Sequence, residues 1–205
     1  MVQPVKQNNA FRQRHQLDGQ FVAMYSGNLG LCQRLEDVIA AADCLRSRTD
    51  IVFLLVGGGA LQKQLEAQVA ELNLPNVRFL PYEPKSHLAE SLSAADVHLV
   101  PLDPRVAQCL MPSKLYGVLA SGTPLIAIAP ESCELSDLTQ TQAVGLVTPP
   151  GNPKALAQAI EHLADNREQL EPMGARARAL AEQHYDRKTV TASFARLLGE
   201  VLGER

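Results

Sequence analysis

The sequence predicts an α/β protein with a doubly wound parallel sheet of about six strands and extra helices at its C-terminal end. Short apolar runs rich in β-branched residues suit strands that are covered on both faces. Longer segments with helical apolar spacing separate them, which favours parallel strands joined by right-handed crossovers. Hydrophobic residues make up 46% of the 205-residue chain, enough for a core without disulfides or metal.

The strands are predicted from compact apolar runs, and each of the first two runs is followed at once by glycine. The first has the sequence FVAMYS and the second the sequence IVFLLV, the clearest strand in the chain. In chain order, the predicted strands cover residues 21–26, 51–56, 77–80, 97–100, 125–128 and 144–147.

Helices are predicted between the strands and after the last one. Asn152 and Pro153 supply a cap and a first-turn proline for one of them. Beyond residue 165 we expect two more helices, at about 166–183 and 187–202. The last one carries an apolar stripe at helical spacing: Val190, Phe194, Leu197, Leu198 and Val201. Two interpretations stay open, an exposed stripe that drives dimerisation and a face that packs on the chain's own sheet.

Residues 1–20 differ from the rest because they are polar, contain five glutamines and show no periodic core. Phe11, Arg12 and Arg14 could form a short helical turn, although nothing in the pattern requires one. Such a polar segment before a first strand is typical of an inter-domain linker. We therefore predict a linker over residues 1–20, from a domain outside this sequence, and one domain over residues 21–205.

Composition excludes several classes of protein. A net charge of −3 and a pI near 6.0 argue against a broad nucleic-acid surface. The four cysteines are irregularly spaced and predicted to be reduced, with no zinc-ligand pattern: Cys32, Cys44, Cys109 and Cys133. There is no signal-peptide pattern and no apolar run of the roughly 20 residues that span a membrane. We expect a cytoplasmic location and leave open a membrane association of the full-length parent.

Ligands of doubly wound sheets bind beyond the carboxyl ends of the strands, so the residues after each strand are the candidates. Gly27–Gly30 follow the first strand and could present backbone amides to a phosphate, or could form a plain tight turn. Gly57–Gly59 follow the second strand and could admit a substrate or allow close helix packing. Neither loop is a complete dinucleotide-binding fingerprint.

The segment Met111–Gly117 contains a third candidate. Pro112 and Ser113 form a reasonable helix start, which places Lys114 in the first turn, where a cation opposes the helix dipole. An anion held by Ser113, Lys114 and the helix amides would resolve that conflict, while a solvated lysine is the simpler alternative.

Titratable residues form no catalytic set. His98 lies within a predicted strand and is expected to be structural, and Asp96 is expected to cap the start of that strand. The nucleophile elbow, the phosphate-binding lysine loop and the HExxH pair are all missing from the sequence.

Six blocks in register resemble the C-terminal domain of group 1 glycosyltransferases, over about residue 20 to the end. They include YSGNLG at 25–30, VGGGAL at 56–61, NVRFLPY at 76–82 and AADV at 94–97, and they continue with ASGTP at 120–124 and GLVTPPG at 145–151. The MPSKLYG segment at 111–117 is especially similar to transferases that build bacterial surface polysaccharides with amino-sugar or deoxysugar donors.

The resemblance implies one half of a GT-B fold, in which two Rossmann-like domains face each other across a cleft. This half would bind a nucleoside-diphosphate sugar, and an N-terminal domain in cis would bind the acceptor. Chemistry would be retaining and metal-independent, without a cofactor, and the leaving diphosphate would be stabilised by helix amides and basic side chains. The implied donor-binding residues are Gly27, Asn28, Gly30, Arg34, Gly58, Pro81, Tyr82, Ser113, Lys114 and Leu115.

The chain departs from the family pattern at two places. The family's pair of glutamates would fall at Cys109 and Gly117, and the second of them normally holds the ribose hydroxyls. The usual basic residue of the first glycine loop would fall at Gln33, with Arg34 beside it but about 100° further round a helix. Glu131 and Glu134 are candidate replacements for the ribose-binding carboxylate.

Two function classes remain beside the transferase. A nucleotide-sugar epimerase of the same fold would require carboxylates in the cleft, whereas glycine, serine, lysine and proline follow the strands here. A non-catalytic nucleotide-binding or regulatory domain would explain the missing glutamates. The six blocks in register favour the transferase, and we expect the isolated chain to bind donor weakly and to transfer nothing.

Overall fold

The computed structural model describes residues 2–203, and the side chain of Cys32, one of the cysteines predicted to be reduced, lies outside the described part. Six strands form one parallel sheet in the order β3-β2-β1-β4-β5-β6. They are β1 (Phe21–Ser26), β2 (Ile51–Val56), β3 (Val77–Leu80), β4 (Val97–Pro101), β5 (Leu125–Ile128) and β6 (Gly145–Thr148). This confirms the predicted fold class, with strand boundaries within one residue of prediction.

The helices cover both faces of the sheet. They are α1 (Ala10–Arg14), α2 (Leu35–Cys44), α3 (Gln62–Glu71), α4 (Leu88–Ser93), α5 (Lys114–Ala120), α6 (Glu134–Thr141), α7 (Pro153–Asp165), α8 (Leu170–His184) and α9 (Arg187–Leu202). Short 3-10 turns lie at Leu31–Gln33, Lys85–His87 and Arg167–Gln169. The last of these turns explains why α8 begins at Leu170 and not at about 166.

Strand β1 shows how the sheet divides the core. Phe21 and Tyr25 face α2, α3 and α7, whereas Val22 and Met24 face the opposite side, where Phe11 packs. All four strand residues are fully buried. Because successive strand residues point to opposite faces, a continuous apolar run requires cover on both sides, and the helices supply it.

The segment predicted to be a linker packs onto the sheet. Helix α1 is capped by Asn9, and Phe11 and Leu17 are fully buried. The Arg12 guanidinium donates hydrogen bonds to four backbone or carboxylate oxygens: those of Ala94, Asp96, Leu17 and Gln20. These bonds attach the segment to the amino-terminal end of the sheet, and its connection to a further domain stays a prediction.

Helix α9 extends beyond the sheet. None of its residues is buried, and Phe194 and Val201 are 62% and 75% exposed. The interpretation that this helix packs on the chain's own sheet is therefore wrong, because its apolar stripe faces away from the core. The alternative, an exposed stripe, is the one that the structure bears out.

Candidate functional site

A cleft of about 620 Å³ opens beyond the carboxyl ends of β1 and β4. These strands are neighbours in the sheet, but the chain leaves β1 towards α2 on one face and β4 towards α5 on the other. This divergence is the topological switch point at which ligands of such sheets bind. Of the predicted site residues, Gly27, Asn28, Ser113 and Lys114 line this cleft.

The two glycine loops pack directly against each other. The amide of Gly27 donates to the Val56 carbonyl at 2.9 Å, and the amide of Leu29 donates to the Gly58 carbonyl at 3.0 Å. Gly57 has φ +146°, and a Cβ there would overlap the carbonyl oxygen of Gly27. The glycine run after β2 therefore allows a close approach of two backbones, a reason that differs from both sequence interpretations.

Lys114 is held at the first position of α5 by two neutral side chains. Its Nζ donates to the Tyr25 hydroxyl at 2.8 Å and to Gln33 Oε1 at 2.7 Å. The same nitrogen lies 4.0 Å from the centre of the Tyr25 ring. Burial lowers the pKa of Lys114 to about 7, because the charged form is poorly solvated. The described residues that line the cleft include no acidic side chain, so they leave the ammonium charge uncompensated.

Tyr25 links this lysine to the first glycine loop. Its hydroxyl donates to the carbonyl oxygen of Asn28 at 2.6 Å and accepts the bond from Lys114. Burial raises the pKa of the fully buried Tyr25, so the hydroxyl stays protonated and keeps its donor role. Sequence reasoning missed Tyr25 because it lies within a strand, although a hydroxyl in an otherwise apolar strand was a usable signal.

Ser113 precedes α5 and is exposed at the cleft, with no side-chain capping bond. Its hydroxyl therefore remains able to meet a ligand. Leu115, in contrast, does not line the cleft, because its side chain is fully buried and its amide donates to the Pro112 carbonyl. Leu115 therefore offers neither an exposed side chain nor a free amide for the predicted contact with a donor.

Arg34 does not lie in a continuous helix, so the predicted 100° offset from Gln33 does not apply. It takes a left-handed conformation, φ 43° and ψ 45°, between the Leu31–Gln33 turn and α2. Its Nε donates to Asp37 Oδ2 at 3.0 Å, and the same oxygen accepts the amide of Gly151. Gln33 lines the cleft and Arg34 does not, because the left-handed residue turns the chain away.

The remaining predicted residues lie near the rim of the cleft or away from it. Gly30, Gly58, Pro81 and Tyr82 do not line the cleft. Tyr82 is 57% exposed and its hydroxyl donates to the Gly58 carbonyl at 3.3 Å, which places it beside the second glycine loop. Their contacts with a nucleotide stay predictions.

The carboxylates proposed as replacements are not in the cleft. Glu131 and Glu134 are exposed and lie outside its lining, with Glu134 at the start of α6. Of the two positions at which the family's glutamates would fall, Gly117 lines the cleft and Cys109 does not. An apolar wall that the sequence did not reveal completes the site: Leu88, Leu92, Pro101, Leu102, Val106, Leu110, Met111 and Val118.

His98 has the structural role predicted for it, whereas Asp96 caps β1 and not β4 as predicted. His98 is buried and its Nε2 lies 2.8 Å from the Leu92 carbonyl, while burial lowers its pKa to about 4. Asp96 Oδ2 accepts the amide of Val22 at 2.7 Å and fixes the start of β1. Over residues 2–203, no cluster of three or more His, Cys, Asp or Glu side chains is suited to hold a metal ion.

A second concavity, of about 570 Å³, lies at the amino-terminal end of the sheet and is lined by Lys6, Arg12 and Arg178. These cations already donate to protein oxygens, for example Lys6 to Thr123 and Arg178 to the Ala120 carbonyl. They attach the N-terminal segment and leave the switch-point cleft as the candidate site. Within residues 2–203, every helix is too short or too polar to cross a membrane.

Comparison with known proteins agrees with this fold. Residues 7–180 match the family model described as "Glycosyl transferases group 1". The chain is 32% identical over 185 residues to WcaI of Escherichia coli, a protein named for glycosyl transfer in colanic acid biosynthesis. That match covers 88% of this chain and 44% of WcaI, so the chain spans about half the length of the curated relatives it matches.

Two solved structures are similar in fold. HepE of Anabaena, determined with UDP-glucose, superposes with a TM-score of 0.78 at 20% identity, covering 93% of this chain and 51% of HepE. Sucrose-phosphate synthase of Thermosynechococcus elongatus superposes with a TM-score of 0.78 at 23% identity, covering 100% of this chain and 50% of that one. The fold is that of one half of a GT-B enzyme, and with the family match it shows that the chain belongs to the group 1 glycosyl transferases.

Proposed function

We propose that this chain is the donor-binding domain of a glycosyltransferase and that its cleft holds the diphosphate of a nucleoside-diphosphate sugar. The observation that carries the proposal is the environment of Lys114. Among the described residues, its ammonium is bonded only to the neutral groups of Tyr25 and Gln33, and the described lining of the cleft has no acidic side chain. A buried cation without a counter-charge is costly, and a bound anion supplies the missing charge.

The Lys114 ammonium would also contribute to catalysis. When the bond to the sugar breaks, negative charge develops on the leaving diphosphate. A fixed cation in a poorly solvated site stabilises that charge without rearrangement, which is electrostatic catalysis. Lys114 and the Ser113 hydroxyl are the side chains that we assign to this task, and Gly27 and Asn28 line the same cleft. The predicted role of the loop amides is not supported for Gly27, Leu29 and Gly30, because their amides already donate to protein carbonyls.

We propose metal-independent transfer with retention at the anomeric carbon. The described lining offers a cation but no carboxylate, whereas carboxylates are the protein ligands by which Mg²⁺ is usually held beside phosphates. Analysis of the anomeric configuration of the product tests retention in the full-length enzyme.

We propose that the remainder of the full-length protein binds the acceptor, a polysaccharide or a lipid-linked sugar. The chain spans 44% of WcaI and 50% of the sucrose-phosphate synthase chain, so relatives carry a comparable length outside the matched part. This division predicts that the 205-residue chain binds donor and shows no transfer by itself.

The stripe on α9 gives the domain a second contact surface. We propose that it packs on the acceptor-binding half in the full-length protein, and that in the isolated chain it pairs weakly with a second copy. The apolar side chains of that stripe are about half exposed or more, from 45% at Leu198 to 75% at Val201. Such a contiguous apolar surface is uncommon on a free domain and marks an interaction site.

A non-catalytic nucleotide-binding domain is the second candidate. The described lining contains no histidine or carboxylate that could serve as a general base. The same observation disfavours an epimerase, which would require such a group. Assembly of the full-length protein decides between the first two candidates, because only the transferase gains activity when the acceptor-binding half is present.

Calorimetric titration with UDP, GDP and ADP tests the donor site, first in EDTA and then in Mg²⁺. We expect one diphosphate to bind saturably in EDTA, with little gain from Mg²⁺. Failure of all three to bind at millimolar concentration would contradict the proposed site. Binding only in Mg²⁺ would contradict metal independence alone.

A further inference from the structure

Gly117 lies on the cleft side of α5, one helical turn beyond Lys114. Residues three apart on a helix share a face and are separated by about 4.5 Å along its axis. Both residues line the switch-point cleft. If Lys114 holds the diphosphate, as the proposed function states, a sugar ring joined to that diphosphate reaches the surface at Gly117. We take this ring to be that of the nucleoside, because the family resemblance implies the ribose hydroxyls at this position.

The surface around Gly117 is apolar. Among the described residues, a Cβ at this position would meet only the Cδ1 atom of Leu92, at 3.3 Å, and the neighbouring lining residues include Leu88 and Val118. The charged and amide side chains of the described lining are those of Lys114, Gln33 and Asn28. No carboxylate therefore faces the place of the nucleoside sugar within the described lining.

Recognition of a sugar hydroxyl depends on a hydrogen-bonding group such as a carboxylate. Sites that read a ribose 2′-hydroxyl commonly do so with an Asp or Glu side chain. A site built to bond a hydroxyl strongly rejects an analogue that lacks it, whereas an apolar site discriminates weakly between the two. The surface at Gly117 is apolar, so we expect it to discriminate weakly between a ribose and a 2′-deoxyribose.

We propose that this cleft does not read the 2′-hydroxyl, so that 2′-deoxynucleoside diphosphates bind as well as their ribonucleoside counterparts. Gly117 is the residue that determines this property. The inference rests on the proposed function and adds deoxynucleoside-diphosphate sugars to the class of donors that the site accepts.

Calorimetry with matched pairs tests the proposal: UDP with dUDP, GDP with dGDP and ADP with dADP. Each pair differs by one oxygen atom, so the ratio of dissociation constants isolates the 2′-hydroxyl. We expect a ratio below three for the base that binds. Tighter binding of the ribonucleotide by threefold or more would overturn this inference and leave the proposed function intact. Failure of every diphosphate to bind would overturn both.

The Gly117→Glu variant tests whether residue 117 determines the lack of discrimination between ribonucleotides and 2′-deoxynucleotides. Within the described part of the chain, the new Cβ would closely contact only the end of a flexible leucine side chain. The variant is therefore expected to fold, as a thermal unfolding curve checks. It should prefer the ribonucleotide at least fivefold, because the carboxylate accepts bonds from the 2′-hydroxyl. Gly117→Gln has the same shape without the charge and should show a smaller preference. An unchanged ratio in the folded Gly117→Glu variant would overturn the assignment to this residue.

Discussion

The ammonium of Lys114 lies 4.0 Å from the centre of the Tyr25 ring and donates a 2.8 Å hydrogen bond to the hydroxyl of that ring. The second acceptor, Gln33, is also neutral. A cation that is held by a ring face, a hydroxyl and an amide keeps a fixed position without being neutralised. This arrangement is suited to a group whose counter-charge arrives with the ligand.

Donor affinity is expected to depend on pH through Lys114. Burial lowers its pKa to about 7, so the lysine is charged below that pH and becomes neutral above it. A bound diphosphate favours the charged form, so binding above pH 7 requires uptake of a proton. Affinity for the nucleoside-diphosphate sugar should be constant near pH 6 and fall by up to about tenfold per unit above pH 7. Calorimetry between pH 6 and 9 measures this profile.

Lys114→Arg is the matched control for that profile. The guanidinium keeps its charge over the whole range, so the variant should bind with nearly constant affinity from pH 6 to 9. A nucleoside-diphosphate sugar is the right ligand, because its diphosphate does not titrate in this interval. The same steep profile in both proteins would show that another group titrates.

Tyr25→Phe separates the ring from its hydroxyl. The variant keeps the ring face below Lys114 but loses the bonds to the Asn28 carbonyl and to Nζ. We expect the free energy of unfolding to fall by about 1 kcal/mol, from the lost hydrogen bond to the backbone, and affinity to fall a few-fold. Urea unfolding and calorimetry measure the two effects. Wild-type affinity in the variant would contradict a positioning role for the hydroxyl.

Gly57→Ala tests the contact between the two glycine loops. The left-handed backbone at φ +146° and the overlap of a Cβ with the Gly27 carbonyl both oppose alanine. We expect a loss of roughly 3 kcal/mol or more in unfolding free energy. Gly58→Ala is the control, since its nearest neighbour would be Gln62 Oε1 at 3.5 Å, and it should change stability by less than about 1 kcal/mol. Equal effects would refute the packing argument.

Self-association of the isolated chain should depend on the apolar stripe of α9. Phe194→Glu places a charge in the middle of the stripe, whereas Ala192→Glu adds the same charge on the opposite side of the helix. Sedimentation equilibrium should show a weak dimer for the wild type and for Ala192→Glu, and a monomer for Phe194→Glu. A monomeric wild type at high concentration would exclude pairing of two copies.

The strands could be predicted because both faces of the sheet are covered, which leaves uninterrupted apolar runs such as Ile51–Val56. The packing of the N-terminal segment could not, because Phe11 and Leu17 are six residues apart and follow no period. Their partners lie on strands and loops distant in sequence, and the bonds that fix Arg12 reach as far as Asp96.

A local signal predicted the place of Lys114 in the cleft lining, whereas its role in binding stays a prediction. Lys114 was found because a cation in the first turn of a helix is locally unfavourable. Sequence alone could not predict the bonds of Gln33 and Tyr25 to Lys114, or the left-handed conformation that takes Arg34 out of the cleft lining, because these are properties of the folded loops. The reason for three successive glycines also appeared only when the two loops were seen in contact.

The most direct test of the account compares Lys114→Ala with Lys63→Ala in one titration at pH 6.5, with the diphosphate that binds the wild type. Both variants lose one positive charge, but Lys63 lies exposed on α3, outside the cleft lining. Loss of a charged hydrogen bond of about 1.5–3 kcal/mol predicts that Lys114→Ala binds roughly ten- to a hundredfold more weakly. Lys63→Ala should bind like the wild type. Equal affinities of the two variants would contradict a diphosphate site at Lys114.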